Sequence, residues 1–563
     1  MSQIDSERVA ADLPQPTHDV LNQPPPMGEG NAFDEDVALV AGVTREGAAH
    51  ALARASALGA LVTGEPMRWG VLANAYPPVL HTHDRYGHRI DEVEFHPHWH
   101  DLLRTAVAHE LHALPWRTPG PGAHVVRAAM YYVFTQAEAG HGCPITMTFA
   151  AVPALAATPA LASAWVPRLT SPTYDPRRLP AEQKDGALAG MAMTEKQGGS
   201  DVRANTTRAR PAGIAEGSGA EYRLIGHKWF CSAPMCDVFL TLAGTARGLS
   251  CFVVPRLLPD GAKNHVHIER LKDKLGNRSN ASAEIEYHGA HAWLLGEEGR
   301  GVATIMDMVA HTRLDCVIGS SALMRQALVQ AVHHATHRRT FGRRLVDHPL
   351  MRNVLADLSL ESEAATTLML RLARAYDEAA AGNEQARAFA RLATAAAKYW
   401  VCKRAVAVTG EAMECLGGAG YVEESTMPRL YREAPVNSIW EGSGNVICLD
   451  VLRAAAKEPA CVDAVFADLA LARGDRRLDA FADDLRADLT HAVRAREEAA
   501  ARRLTGRLAR ALQAALLRRH GPSSVADAFI ASRIAAEPGE FGTLPAGHDL
   551  AALARRVRAR VDE

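Results

Sequence analysis

Residues 193–201 read Met193-Thr194-Glu195-Lys196-Gln197-Gly198-Gly199-Ser200-Asp201, and they open the one region of the chain whose texture is not helical. Across 188–292 short β-like runs follow one another: YRLIGHKWF from Tyr222, VFLTLAG from Val238, LSCFVVP from Leu249 and AEIEYHG from Ala283. Turn signals separate them at Gly217–Gly219 and Pro259–Gly261. Runs of this length at this spacing predict an antiparallel sheet or barrel. Upstream, from Asp34 to Pro167, Ala and Leu recur at helical spacing, broken at Pro77–Pro78, Pro115 and Pro119–Gly122. Several helices are expected there, and no strands. Helical spacing returns at Gly301, runs to Arg453 and continues through a tail rich in Ala and Arg. The order of helices, β insert, helices and helical appendix predicts an α+β fold, not a parallel βαβ one. The expected division is an N-terminal arm 1–33, a helical domain 34–187, a β domain 188–292, a helical bundle 293–453 and an extension 454–563.

Bulk composition sets the outer limits. At about 150 residues per domain, 563 residues suggest three or four domains. Hydrophobic residues make up 48% and charged residues 22%, so a normal core is available. The net charge is −2, so any affinity for nucleic acid has to come from a local patch. Nine scattered cysteines without a CxxC pair argue for a reducing compartment and against a disulfide framework or zinc ribbon. The polar, Pro-rich start lacks an apolar signal region, and no run of about eighteen apolar residues occurs, so a cytoplasmic protein without a membrane span is expected.

Five segments carry chemistry, and each also has a plainer reading. The two glycines of 193–201 let a backbone approach a ligand, and Thr194 and Ser200 add hydroxyls; a capped polar turn would look the same. Lys228-Trp229-Phe230-Cys231-Ser232 could stack on a flat heterocycle, or could be a core strand. Arg338-Arg339-Thr340-Phe341-Gly342, at a helix end, could pair with a diphosphate, or simply be a solvated terminus where cations are favoured. In Glu414-Cys415-Leu416-Gly417-Gly418-Ala419-Gly420-Tyr421 the glycines bare the backbone or cap a helix. Ile439-Trp440-Glu441-Gly442-Ser443-Gly444-Asn445 sets a carboxylate between an aromatic ring and a flexible step. Desolvation there would raise its pKa and strengthen it as a base; otherwise Glu441 is a loop residue.

Together, in this order, these five segments resemble the acyl-CoA dehydrogenase family over about residues 100–455. THDVLNQPPP, FHPHWH, GHGCPITMTFA, GMAMTEKQGGSD, LKDKLGNRSNAS and PVNSIWEGSGNVICLDVLR resemble its adaptive-response (AidB) branch, nearly end to end. The resemblance implies the acyl-CoA dehydrogenase fold: an N-terminal helical domain, a middle antiparallel β domain and a C-terminal four-helix bundle, here with a helical extension. It implies FAD, an acyl-CoA or similar small molecule as substrate, a homotetramer, and Glu441 as the catalytic base. Some members place the base on a central helix just before an arginine; that position is Thr312, before Arg313, and threonine cannot serve.

By the same resemblance the cofactor would be held by Met193, Thr194, Gly199, Ser200, Phe230, Cys231 and Ser232. Trp440, Gly442, Ser443 and Asn445 would follow it around the base. Arg338, Phe341, Glu414, Gly417 and Gly418 would reach the FAD of an adjacent subunit. Two departures are visible. Lys196 replaces the family's usual proline, and Pro349 stands where many relatives have glutamine.

The tail carries Arg494, Arg496, Arg502, Arg503, Arg507, Arg510, Arg518 and Arg519 against only Glu497 and Glu498 in that span. Such a stripe can neutralise phosphates without reading bases, or can be a solvated amphipathic helix. The AidB resemblance implies double-stranded DNA binding and a role in DNA alkylation stress, with Arg453 and Arg533 as further contacts and weak dehydrogenase activity through Glu441. The alternative is an ordinary metabolic short- or branched-chain acyl-CoA dehydrogenase whose extension builds the oligomer. His96, His98, His100, His109 and His112 suggest metal ligands, but His109-Glu110-Leu111-His112 is one residue short of HExxH, and no metal is expected.

Overall fold

The computed structural model describes residues 20–214 and 216–557. Most of the expected N-terminal arm, residues 1–19, lies outside them. Its described end is tied to its own chain: Asn22 exchanges hydrogen bonds with the backbone of Arg339, and Arg338 Nη1 donates to Asn22 O at 2.8 Å.

The first layer is helical. Helices include Leu52–Val62, Glu65–Ala75, Pro97–Ala108, Ala123–Thr135 and Gly142–Leu155. Every residue of Ala123–Thr135 is buried, so this helix has no solvent face and needs no amphipathic stripe. The expectation of helices without strands is corrected here by a hairpin, β1 (Val79–His83) and β2 (Arg89–Glu94). Its strands are mostly polar and so gave no apolar alternation to read. Asp84 holds the turn by accepting the Tyr86 and His88 N–H groups.

The second layer is one seven-stranded sheet: β3 (Ala189–Ala192), β4 (Arg208–Pro211), β5 (Glu221–Ser232), β6 (Val238–Thr245), β7 (Gly248–Pro255), β8 (Val266–Leu271) and β9 (Ser282–Leu295). The strand order is β3-β5-β4-β6-β7-β9-β8, with β3 also pairing β6 and β5 also pairing β9, so the sheet folds back on itself. Neighbours are antiparallel except for β3 and β4 against β6. The ion pair Lys228–Glu195, 2.8 Å and fully buried, ties β5 to the loop after β3.

The third layer is a bundle built on Gly301–His337, Pro349–Ala380 and Glu384–Cys415, with Met427–Asn437 and Gly444–Lys457 packed on it. The last of these runs straight through Arg453, so the expected boundary there falls inside a helix; the chain breaks one turn later, before Pro459.

The extension is welded to the bundle. Leu504, Leu508, Leu512 and Leu516 form the apolar stripe of Ala501–His520 and are buried against it. Arg533, expected as a DNA contact, is only 5% exposed and pairs with Asp357 and Glu361 on Pro349–Ala380. That expectation is corrected, because a guanidinium neutralised inside the protein cannot meet a phosphate. Among the described residues no helix is long and apolar enough to cross a membrane.

Candidate active site

Helix Met427–Asn437 continues as turns to Trp440, and the chain then reverses through two positive φ angles, 59° at Glu441 and 103° at Gly442. Glycine supplies the second at no steric cost; Glu441 adopts the first against its preference. The reversal is clamped by cations. Lys398 Nζ donates to Trp440 O (2.8 Å) and Gly442 O (2.5 Å), and Arg313 Nε donates to Glu441 O (3.0 Å). Arg313 and Arg391 are in turn held by Asp450.

The Glu441 carboxyl faces an enclosed cavity lined also by Tyr131, Cys143, Thr146, Asp315, Glu433 and Trp440. Its one side-chain hydrogen-bond partner among the described residues is Thr312, whose hydroxyl donates to Oε2 at 2.6 Å. Burial raises its pKa above the ordinary range; the Thr312 hydrogen bond and the charges of Lys398 and Arg313 pull the other way. Thr312, which cannot be a base, thus orients one.

The β insert supplies the facing surface. In register Met191 lies opposite Ser232 and Ala192 opposite Cys231, and Trp229 N donates to Thr194 O at 2.8 Å. The Met193–Ser200 loop and the Lys228–Ser232 strand therefore lie side by side. Met193 and Trp440 pack on one apolar cluster with Cys143 and Met147, which joins this surface to Glu441. The donor set suits a flat, hydrogen-bonding heterocycle. Phe230 is 45% exposed, Gly198 has open space where a Cβ would stand, and a Cβ on Gly199 would lie 2.3 Å from Thr194 Oγ1.

Other expected residues lie elsewhere. Phe341 is 96% exposed at φ 48°, and Glu414, Gly417 and Gly418 lie on an exposed helix end. None of them lines the Glu441 cavity. Ser443 stands at the N-cap position of Gly444–Lys457 without a side-chain capping hydrogen bond, and Asn445 accepts from Arg502 at 3.3 Å. The basic stripe is partly spent within the protein. Arg503 and Arg507 share Asp488, Arg518 donates to Ala472 O and Arg519 pairs with Asp468. Arg453 and Arg494 are exposed. The histidines bond locally: His98 to Asp101, His100 to the Tyr174 hydroxyl and His112 to Ser171 O.

Glu433 escaped the sequence reading. It is 3% exposed, and burial plus the nearby Glu138 carboxylate push its pKa up to about 7. A helical signal was present: Glu433, Val436, Asn437, Trp440 and Glu441 fall at i, i+3, i+4, i+7 and i+8, and all line the cavity. Because ionisation is penalised in the folded state, the unfolded chain releases this proton first as pH rises. Native stability therefore falls between pH 4.5 and about 7 and then levels. Glu433→Gln, neutral throughout, is expected to match the parent near pH 4.5 and to exceed it at pH 8 by up to about 3 kcal/mol. Urea midpoints at the two pH values check this.

Comparison with known proteins agrees with this geometry. Residues 22–176 match the adaptive response protein AidB N-terminal domain, 190–290 the acyl-CoA dehydrogenase middle domain and 299–456 the acyl-CoA dehydrogenase C-terminal domain. The chain is 49% identical to "Putative acyl-CoA dehydrogenase AidB" of Escherichia coli (strain K12), over 84% of this chain and 89% of that one. It superposes on "Bd2924 apo-form" with TM-score 0.81 and 30% identity, over 89% of this chain and 100% of that one. It superposes equally, at 0.81 and 27% identity, on Caenorhabditis elegans ACDH-11 in complex with C11-CoA, over 99% and 95%. With the three-layer fold and the carboxylate site in place, these likenesses make the chain a member of the acyl-CoA dehydrogenase family, of AidB type, among homologues that are FAD-dependent flavoproteins.

Proposed function

We propose that the protein is an FAD-dependent oxidoreductase that takes an acyl-CoA thioester at the Glu441 cavity. The observation that carries this is the Glu441 carboxyl itself, desolvated, held by Thr312 and set in a cavity whose lining residues Cys143, Met147 and Trp440 share an apolar cluster with Met193. Thr194, Ser200 and Ser232, the bare backbone at Gly198–Gly199 and the ring of Phe230 would hold the flavin. FAD, when bound, supplies the acceptor for the hydride that leaves the β-carbon. Glu441 removes the proton α to the thioester carbonyl, and its raised pKa makes it a stronger base than a solvated carboxylate. The C. elegans relative solved with C11-CoA supports the substrate class. Anaerobic titration of the FAD-loaded protein with saturated acyl-CoAs tests it: bleaching of the flavin absorbance is expected, and its absence across chain lengths would remove the reading. The exposed apolar residues Phe341, Leu350 and Tyr421 support assembly of several copies, with a homotetramer as the expected form.

We further propose that the AidB-type surface binds duplex DNA through backbone phosphates. Arg453, Arg494, Arg496 and Arg502 support this: all four are exposed, and no carboxylate lies within 3.5 Å of them among the described residues. Charge reversal at all four is expected to weaken a duplex mobility shift tenfold or more. It should also flatten the log–log salt dependence by about one unit per lost phosphate contact. An unaltered shift would overturn the assignment. A role in the response to DNA alkylation in the cytoplasm goes with this reading.

A further inference from the structure

The cavity beside Glu441 is unlike a slot for a plain hydrocarbon chain. Most of its polar lining is already satisfied. Tyr131 bonds Thr146 at 3.0 Å, Thr146 donates to Asp315 at 2.7 Å, and Asn437 Nδ2 donates to Ser320 at 3.1 Å. Three buried polar atoms of residues that line it have no partner among the described residues: Thr135 Oγ1, Glu433 Oε2 and Trp440 Nε1. A buried group left without a hydrogen bond disfavours the state that leaves it so. An unsubstituted alkyl chain in this space would leave all three unmet.

From this we propose that the cavity selects an acyl chain bearing a neutral hydroxyl or primary amide, received by Glu433, Trp440 and Thr135. The assignment rests on the acyl-CoA reading above and deepens it. The donor and acceptor arithmetic is specific. Trp440 Nε1 can only donate, Glu433 Oε2 offers a lone pair, and Thr135 can do either. A hydroxyl or a carboxamide meets such a set because it donates and accepts at once. A carboxylate guest is disfavoured by the Glu433 and Glu441 carboxyls in the same lining. An ammonium guest has no acceptor to offer the Trp440 Nε1 donor. Asp315 is neutralised by Arg127 in a bidentate pair, and the buried Arg429 acts on Glu433 by its charge.

Chain-matched thioester pairs test this directly: butanoyl-CoA against 4-hydroxybutanoyl-CoA, and hexanoyl-CoA against 6-hydroxyhexanoyl-CoA. They are titrated into FAD-loaded Glu441→Gln protein, where binding is read as a perturbation of the flavin spectrum without turnover. In at least one pair the hydroxylated member is expected to bind tenfold or more tightly. Thr135→Val, which removes a hydroxyl at nearly constant shape, and Trp440→Phe, which removes the donor together with part of the ring, should each shrink that preference towards one. Equal affinities within both pairs would mean that ordered water satisfies the three atoms, and would overturn the selection while leaving the acyl-CoA reading intact. Failure of every thioester to bind would overturn both.

Discussion

Glu441→Gln is expected to lower the rate of flavin bleaching by an acyl-CoA by about 10²–10⁴-fold while leaving thioester binding within a few-fold of the parent. The amide keeps the shape of the side chain and can still accept from the Thr312 hydroxyl, so the chain reversal held by Lys398 and Arg313 should survive. It cannot take a proton. The parent rate should rise with pH through a value above 4.5, because only the ionised carboxyl is a base and burial delays its ionisation. Thr312→Val separates orientation from chemistry. It removes a hydrogen bond that favours the ionised form, so the acid limb of the profile should move further up, with a smaller loss of rate than in Glu441→Gln. Stopped-flow bleaching from pH 5 to 9 reads all three proteins. Equal rates for the parent and Glu441→Gln would place the base elsewhere.

Sequence pattern and folded structure correspond unevenly along the chain. The β insert was legible because its long strands alternate: β9 buries every second residue over most of its length, and the run from Ala283 shows that pattern in the bare sequence. The polar hairpin at Val79–Glu94 was not, because its strands bury little and offer no apolar period. Glu441 was singled out because its Trp-Glu-Gly-Ser-Gly segment, read together with the four others, resembles a known family; alone that segment reads as a loop. The residues that make it a site are not local to it: Thr312 and Lys398 come from 129 and 43 positions away, on other helices. Glu433 was closer, but a glutamate on a helix looks solvated until its face is known to be buried. The arginine-rich tail was legible only in part, for a related reason. Spacing shows that Arg518, Arg519 and Arg533 recur, but only packing shows that Ala472, Asp468 and Asp357 are waiting for them.

Arg127→Met is expected to destabilise the folded protein by about 3–5 kcal/mol, more than loss of any surface ion pair here. Arg127 and Asp315 are nearly inaccessible and joined by two hydrogen bonds of 2.6 and 2.7 Å, linking Ala123–Thr135 to Gly301–His337. The guanidinium also donates to Leu111 O and lies 3.5 Å over the Phe149 ring. Methionine fills much of that volume but leaves the Asp315 carboxylate buried with only Thr146 as side-chain donor. The cost is thus an uncompensated charge, not a void. Replacing both partners with apolar residues, Arg127→Met with Asp315→Leu, should recover most of the stability, since no buried charge remains. The same double variant alters the cavity wall next to Glu441, so its thioester binding should stay weakened after its stability returns. Urea midpoints for the two single variants and the double variant give the coupling. Additive losses, with the double variant worse than either single one, would show that the pair contributes through packing and not through charge compensation.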